Sequence, residues 1–204
     1  MTYQRKDAHY RRAKAEGLRA RSAYKLVELD ERHRLFRKGD RVVDLGAWPG
    51  GWCQVAVDRV GPGGRVAGVD LVPIDSLGPS VGLFVGDVRD AETSRKLTDY
   101  LGGLADIVLS DVAPKLTGVR DVDEARGAEV VDAVIDALPR LLKPGGRAVV
   151  KLFMDPSYRE HRRRLEGCFA DVKAIRPDAS RRGSAELYFV GSAFRPPSTP
   201  VDKL

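Results

Sequence analysis

The stretch Val42-Val43-Asp44-Leu45-Gly46-Ala47-Trp48-Pro49-Gly50-Gly51-Trp52 constrains this chain more than any other. A short β-branched run ends in an acid, a glycine-rich turn follows, and a helical run occupies Cys53 to Val60. Glycines permit φ > 0 and put no Cβ in a ligand's path, while a helix start offers free N–H groups. The order strand, bare turn, helix therefore predicts a pocket of the kind that nucleotides enter.

What the turn lacks narrows the ligand. A phosphate loop needs Lys and then Ser or Thr after its last glycine, and Trp52 and Cys53 stand there, which argues against an ATPase or GTPase. The dinucleotide fingerprint wants glycines at its first, third and sixth places. The third place counted from Gly46 is Trp48, a bulky ring. What remains is a series of acids at strand ends: Asp44, then Asp70 after Arg65-Val66-Ala67-Gly68-Val69, then Asp87 after Val81-Gly82-Leu83-Phe84-Val85-Gly86. Asp70 is placed to accept from ribose hydroxyls, and Asp87 from an adenine amino group. Three acids without a phosphate-binding lysine suit adenosine joined to a positive centre, a description that S-adenosylmethionine meets. Taken singly, Asp44 and Asp70 read equally well as turn caps. Their joint placement at the carboxyl ends of successive strands favours the ligand reading.

Strand-like and helical runs alternate, which predicts an α/β sheet. The strands read at Arg41 to Leu45, Val66 to Asp70, Gly82 to Val85, Asp106 to Ser110, Arg147 to Leu152, Val172 to Ile175 and Glu186 to Val190. A helix from Ser22, with the serine as cap, to His33 precedes them. Another carries Val130, Val131, Val134, Ile135, Leu138, Leu141 and Leu142 on one face. Pro139 should kink or tighten its last turn, and Pro144-Gly145-Gly146 should end it. The link between the last two strands is too short for a helical crossover, so that pair is antiparallel. The expected architecture is a Rossmann-like methyltransferase fold, by analogy of fold: a seven-stranded, mostly parallel sheet with one antiparallel strand and helices on both faces. It divides the chain into a basic arm (1–20), one domain (21–194) and a flexible tail (195–204).

Charge points to the partner. Residues 1–25 carry eight basic side chains and two acids, an excess equal to the whole net charge of +6. Arg5, Lys6, Arg11, Arg12, Lys14, Arg19 and Arg21, interleaved with Tyr3, His9, Tyr10 and Tyr24, suit an RNA backbone and its bases. Arg162-Arg163-Arg164 and Arg181-Arg182 add weaker support. Cys53 and Cys168 offer no metal spacing, and no metal is expected. No apolar run suggests a membrane span or a signal peptide. The expected protein is cytoplasmic and monomeric.

Lys151 interrupts the apolar run Val149-Val150-Lys151-Leu152-Phe153, and a lysine in a buried strand calls for carboxylates nearby. Asp111, which ends Ile107-Val108-Leu109-Ser110, emerges at the neighbouring edge. A neutral amine there can take the proton of an alcohol while the oxygen is aligned behind a methyl group. An enzyme acting on a base amino group would carry Pro-Pro and an aromatic after the fourth strand, where Val112-Ala113-Pro114 stands. A pyrimidine carbon-5 enzyme would need a cysteine there. Hydroxyl methylation survives.

Arg19-Ala20-Arg21-Ser22-Ala23-Tyr24-Lys25-Leu26, Asp44-Leu45-Gly46-Ala47 with Pro49-Gly50-Gly51-Trp52, Leu109 to Pro114, Val149 to Phe153, and Arg176 to Arg181 leading to Glu186-Leu187-Tyr188 together resemble the FtsJ (RrmJ, RlmE) family of RNA ribose 2'-O-methyltransferases. The resemblance runs from about Arg19 to Gly191. It implies a catalytic set of Lys25, Asp111, Lys151 and Glu186, with Lys151 as proton acceptor. It also implies cofactor contacts at Gly50, Trp52, Asp70, Asp87 and Asp111, beside Gly46 of the turn. The implied substrate is a uridine of large-subunit (23S) ribosomal RNA in the assembled subunit. Read alone, Lys25 is a solvated helix lysine and Glu186 a polar residue opening an edge strand. Trp48 stands where the family has a small residue, and Met154-Asp155 where it has glutamine and glycine. Three readings compete: a tRNA 2'-O-methyltransferase of the same family, a non-catalytic RNA-binding assembly factor, and an NAD-dependent oxidoreductase.

Overall fold

A computed structural model describes residues 15–114, 117–180 and 185–197. Its elements, in chain order, are α1 (Ala23–His33), β1 (Arg41–Leu45), α2 (Gly51–Val60), β2 (Arg65–Asp70), β3 (Val81–Val85), α3 (Ala91–Leu101), β4 (Ala105–Ser110), α4 (Arg120–Leu141), β5 (Leu142–Phe153), α5 (Tyr158–Cys168), β6 (Phe169–Ile175) and β7 (Glu186–Phe194). They build one seven-stranded sheet in the order β3-β2-β1-β4-β5-β7-β6. The first five strands in that order pair in parallel, and β7 runs antiparallel to both β5 and β6. The expected α/β architecture with one reversed strand is therefore the one formed. The chain reverses its winding between β1 and β4, the place where open α/β sheets leave a crevice at their carboxyl edge.

Helices cover both faces, which is why the central strands read as continuous apolar runs. Val42, Val66, Ile107, Leu109 and Val149 pack with Leu26 and Leu29 of α1 and with Cys53 and Ala56 of α2. Val43, Val108, Ala148 and Val150 pack on the other face with Leu97 of α3, Val134 and Leu138 of α4, and Leu165 of α5. Because side chains alternate along a strand, Asp44 of β1 and Lys151 of β5 lie on the α1/α2 face. β3 and β6 are the two edge strands; Asp171 and Lys173 are exposed on β6, and charge of this kind blunts an open edge. β7 is internal, contrary to the edge position expected for Glu186.

Three local expectations are corrected. Ser22 precedes α1, but its hydroxyl makes no cap; its carbonyl instead accepts the Trp52 indole N–H at 2.9 Å. α4 runs from Arg120 through Pro139 to Leu141, as a helix across that proline should, but Leu142, expected on its apolar face, opens β5 instead. The Pro144-Gly145-Gly146 turn does not separate α4 from β5. It bulges inside β5, where Leu142 pairs with Ala105 and Arg147 with Ile107, so that residues 143–146 stand opposite Asp106 alone. Among the described residues no helix is long and apolar enough to cross a membrane.

Candidate active site

The β5–β7 register places Lys151 opposite Tyr188 and Phe153 opposite Glu186. Asp111 follows Ser110, the partner of Val150, and so stands beside Lys151 at the carboxyl edge. The ammonium of Lys151 donates to the Asp111 carbonyl at 2.8 Å and to its Oδ1 at 3.0 Å. On α1, Lys25 donates to Glu186 Oε1 at 2.5 Å and to the Tyr188 hydroxyl at 3.1 Å. Tyr188 in turn donates to Asp111 Oδ1 at 2.6 Å. The four residues implied by the resemblance thus converge, and Tyr188 joins them into one chain: Lys151, Asp111, Tyr188, Lys25, Glu186.

Burial makes this chain stiff. Lys25 and Lys151 are 5% and 6% exposed, and each ammonium is matched by a carboxylate, as buried charge requires. Burial, then the Asp111 and Glu186 carboxylates, push the Tyr188 phenol well above its ordinary range. The hydroxyl therefore stays protonated and keeps its bond to Asp111. The Trp52 ring packs 5.8 Å from the Tyr188 ring, holding it from the α2 side. Reading the sequence left Tyr188 out of the site because a tyrosine within a strand reads as core. Its partners lie 77 and 163 residues away.

Beside this chain lies a cleft of about 680 Å³ at the carboxyl ends of β1 to β4, closed by α4, within the usual range for small-molecule sites, about 300–1,000 Å³. Gly46, Asp70, Asp87 and Asp111 line it. Gly46 has φ +74°, and a methyl there would overlap Val112. Asp70 accepts from the Trp48 peptide at 3.0 Å and from the Val72 peptide at 3.2 Å, so it caps its own turn and borders the cleft as well. The Arg89 guanidinium, which pairs with Asp87, holds that carboxyl below the usual carboxylate range. A bare glycine floor beside three acids fits an adenosine that carries positive charge.

Other expected contacts fall elsewhere. Gly50 and Trp52 do not line the cleft. Gly50 caps α2 with φ +109° and packs against Arg19 and Leu77, and Gly51 packs against Ala20. The start of α2 is therefore covered by the segment before α1 and does not line the cleft. Asp44 is also withdrawn, being buried with Cys53. Arg19 is committed internally: its guanidinium donates to the carbonyls of Pro49 (3.4 Å), Asp75 (2.6 Å) and Ser76 (2.7 Å). Arg21 stands near enough to Tyr188 for its charge to be felt there. Arg162, Arg163 and Arg164 all pair with acids of this chain. Arg5, Lys6, Arg11, Arg12, Lys14 and the Arg181-Arg182 pair lie outside the described residues. Among the described residues no group of His, Cys, Asp and Glu is placed to hold a metal ion.

The sheet order, the single reversed strand and an acid-lined cleft beside a buried lysine–acid chain define a Rossmann-like methyltransferase domain. A family model described as FtsJ-like methyltransferase matches residues 18–194. The ribosomal RNA large subunit methyltransferase E of Azoarcus sp. (strain BH72) is 46% identical over 190 residues, covering 93% of this chain and 92% of that protein. The protein of the same name from Myxococcus xanthus (strain DK1622) is 42% identical over 199 residues, covering 97% of this chain and 93% of its own length. Among solved structures, a Plasmodium falciparum protein described as a ribosomal RNA methyltransferase superposes with a TM-score of 0.77 at 27% identity, covering 86% of this chain and 98% of its own. Aeropyrum pernix fibrillarin, solved with S-adenosyl-L-methionine bound, shares the fold with a TM-score of 0.60 at 19% identity, over 83% of this chain and 76% of its own. The chain belongs to the FtsJ-like methyltransferase family.

Proposed function

We propose that this protein transfers a methyl group from S-adenosylmethionine to a ribose 2'-hydroxyl of large-subunit (23S) ribosomal RNA, on a uridine of the assembled subunit. The observation that carries the reading is the convergence of Lys151, Asp111, Tyr188, Lys25 and Glu186 at the edge of a nucleoside cleft that Asp111 also lines. The relatives named above, matched over nearly their whole length, carry large-subunit RNA methyltransferase names.

Gly46 would form the floor under the cofactor, Asp70 would accept from its ribose hydroxyls and Asp87 from its adenine amino group, since all three line the cleft. When bound, S-adenosylmethionine supplies a methyl group made electrophilic by its sulfonium. Lys151, once its ammonium has given up a proton to solvent, takes the proton of the 2'-hydroxyl on the lone pair so freed. Two directions around its nitrogen are held by Asp111, which leaves the third for the substrate oxygen. Asp111 keeps that amine aligned, and Tyr188 ties Asp111 to the Lys25–Glu186 pair so that the aligned geometry is paid for in the folded enzyme. General-base assistance of this type contributes about 10²- to 10⁴-fold.

The test offers labelled S-adenosylmethionine with large subunits, free ribosomal RNA and tRNA. Methylation of large subunits should leave one alkali-resistant linkage. Lys151→Ala should retain cofactor affinity and lose about 10²- to 10⁴-fold in turnover. Full activity of Lys151→Ala removes the base assignment. Preferential labelling of tRNA replaces the substrate, and cofactor binding without transfer to any RNA makes the protein a binding module.

A further inference from the structure

The methyl-donor reading leaves one conspicuous residue without a role. Trp48 is 60% exposed and Leu71 is 69% exposed, and both line the cleft. A single exposed apolar side chain is ordinary. Two on the rim of one small-molecule cleft, beside acids suited to a nucleoside, are a ligand surface.

Their placement is set by the backbone. The Trp48 peptide N–H is held on one oxygen of Asp70 and the Val72 peptide N–H on the other, at 3.0 and 3.2 Å. The turn that carries Trp48 and the segment that carries Leu71 are thus pinned to a single carboxylate, the one assigned to the ribose. The turn is also braced from below, because the Gly46 and Ala47 peptides both donate to the Val69 carbonyl, at 2.9 and 3.0 Å. A ring mounted on such a turn gives up little further backbone freedom when a ligand arrives.

We propose that Trp48 and Leu71 form an apolar clamp on the adenosine portion of the methyl donor, which makes Trp48 a cofactor contact. An indole face suits a purine or ribose face, and ring stacking of this kind is sequence-independent and favourable. The clamp would shield the cleft mouth from water at the end where Asp70 and Asp87 bind.

The chain has two tryptophans, and Trp52 is buried with its indole N–H bonded to the Ser22 carbonyl, so quenching by acrylamide reports on Trp48. The inference rests on the methyl-donor reading, and the probe is S-adenosylhomocysteine, titrated into the full chain. Saturating ligand should protect Trp48 from acrylamide and move its emission to shorter wavelength. Trp48→Ala should weaken ligand binding about tenfold, whereas Trp48→Phe, which restores a ring, should recover most of the affinity. Melting of both apo variants should match that of the parent. The proposal is overturned if bound ligand leaves Trp48 as quenchable as before, or if Trp48→Ala binds as tightly as the parent. It is equally overturned if Trp48→Ala loses RNA affinity alone, which would set the ring against the substrate. Failure of the parent itself to bind the ligand would instead remove the methyl-donor reading, and the clamp with it.

Discussion

Replacing Asp44 by Asn should change how the stability of this protein depends on pH. Asp44 is 1% exposed. Its Oδ2 accepts the Cys53 thiol at 3.2 Å, and its Oδ1 has no hydrogen-bond partner among the described residues. Burial raises its carboxyl from 3.8 to about 7, with the Cys53 bond opposing and the Asp111 and Asp70 charges adding to the rise. Below pH 4 both folded and unfolded chains hold this proton, and no penalty exists. Between 4 and 7 only the folded chain holds it, so the folded state loses ground as pH rises. Above 7 the full penalty of about 4 kcal/mol is in place. Asparagine has no proton to lose, so its variant lacks this slope. The stability gap between parent and Asp44→Asn should shift by about 3 kcal/mol in favour of the variant from pH 5 to pH 8. An unpaired amide left in the pocket adds a constant offset of about 1–3 kcal/mol that cancels between one pH and the next. Urea unfolding followed by circular dichroism at pH 5, 6, 7 and 8 reads the gap directly. In melting temperature the shift is about 6–12 °C for a domain of this size. A gap that stays within about 1 kcal/mol across the series would mean that Asp44 is ionised throughout, and the burial argument would be wrong.

Arg19→Ala should lower the melting temperature by about 2–6 °C, because its guanidinium ties the loops at Pro49 and at Asp75-Ser76 together. Unchanged melting with weakened RNA binding would return Arg19 to the RNA surface. Deletion of residues 1–14 removes Arg5, Lys6, Arg11, Arg12 and Lys14. It should flatten the salt dependence of RNA binding by about one log–log unit for each phosphate that the arm no longer neutralises, and an unaltered slope in a filter-binding series would end the arm's assignment. Gly46→Ala should cost about 1–2 kcal/mol for its left-handed backbone alone. It should also weaken S-adenosylhomocysteine binding, measured by calorimetry, because Val112, which lines the cleft, must move aside. Parent-like affinity would show that the floor tolerates a methyl group.

Much of the fold was legible because local chemistry dictates it. Val42-Val43, Ile107-Val108-Leu109 and Val149-Val150 are apolar on both faces because helices cover both faces, and the strands fell where those runs are. The acids at the ends of β1 to β4 were legible too, since a strand's end and the crevice beside it coincide in a parallel sheet. The Pro144-Gly145-Gly146 segment misled because a bulge and a chain reversal recruit the same residues. Arg19 misled because a guanidinium meant for carbonyl oxygens is indistinguishable in sequence from one meant for phosphates.

By itself, the sequence determined the alternation of strands and helices, the glycine floor, the row of acids and the anomalous charge of Lys151, all properties of residues near one another along the chain. The tertiary structure alone decided that Lys25 is a buried partner and not a solvated helix lysine, that Tyr188 bridges the two lysine–acid pairs, and that Asp44 is buried away from the cleft. These depend on how α1 docks on the sheet and on the register of β7 against β5. Contacts spanning as much as 163 residues exist only after packing has chosen that docking and that register, and no local pattern encodes them.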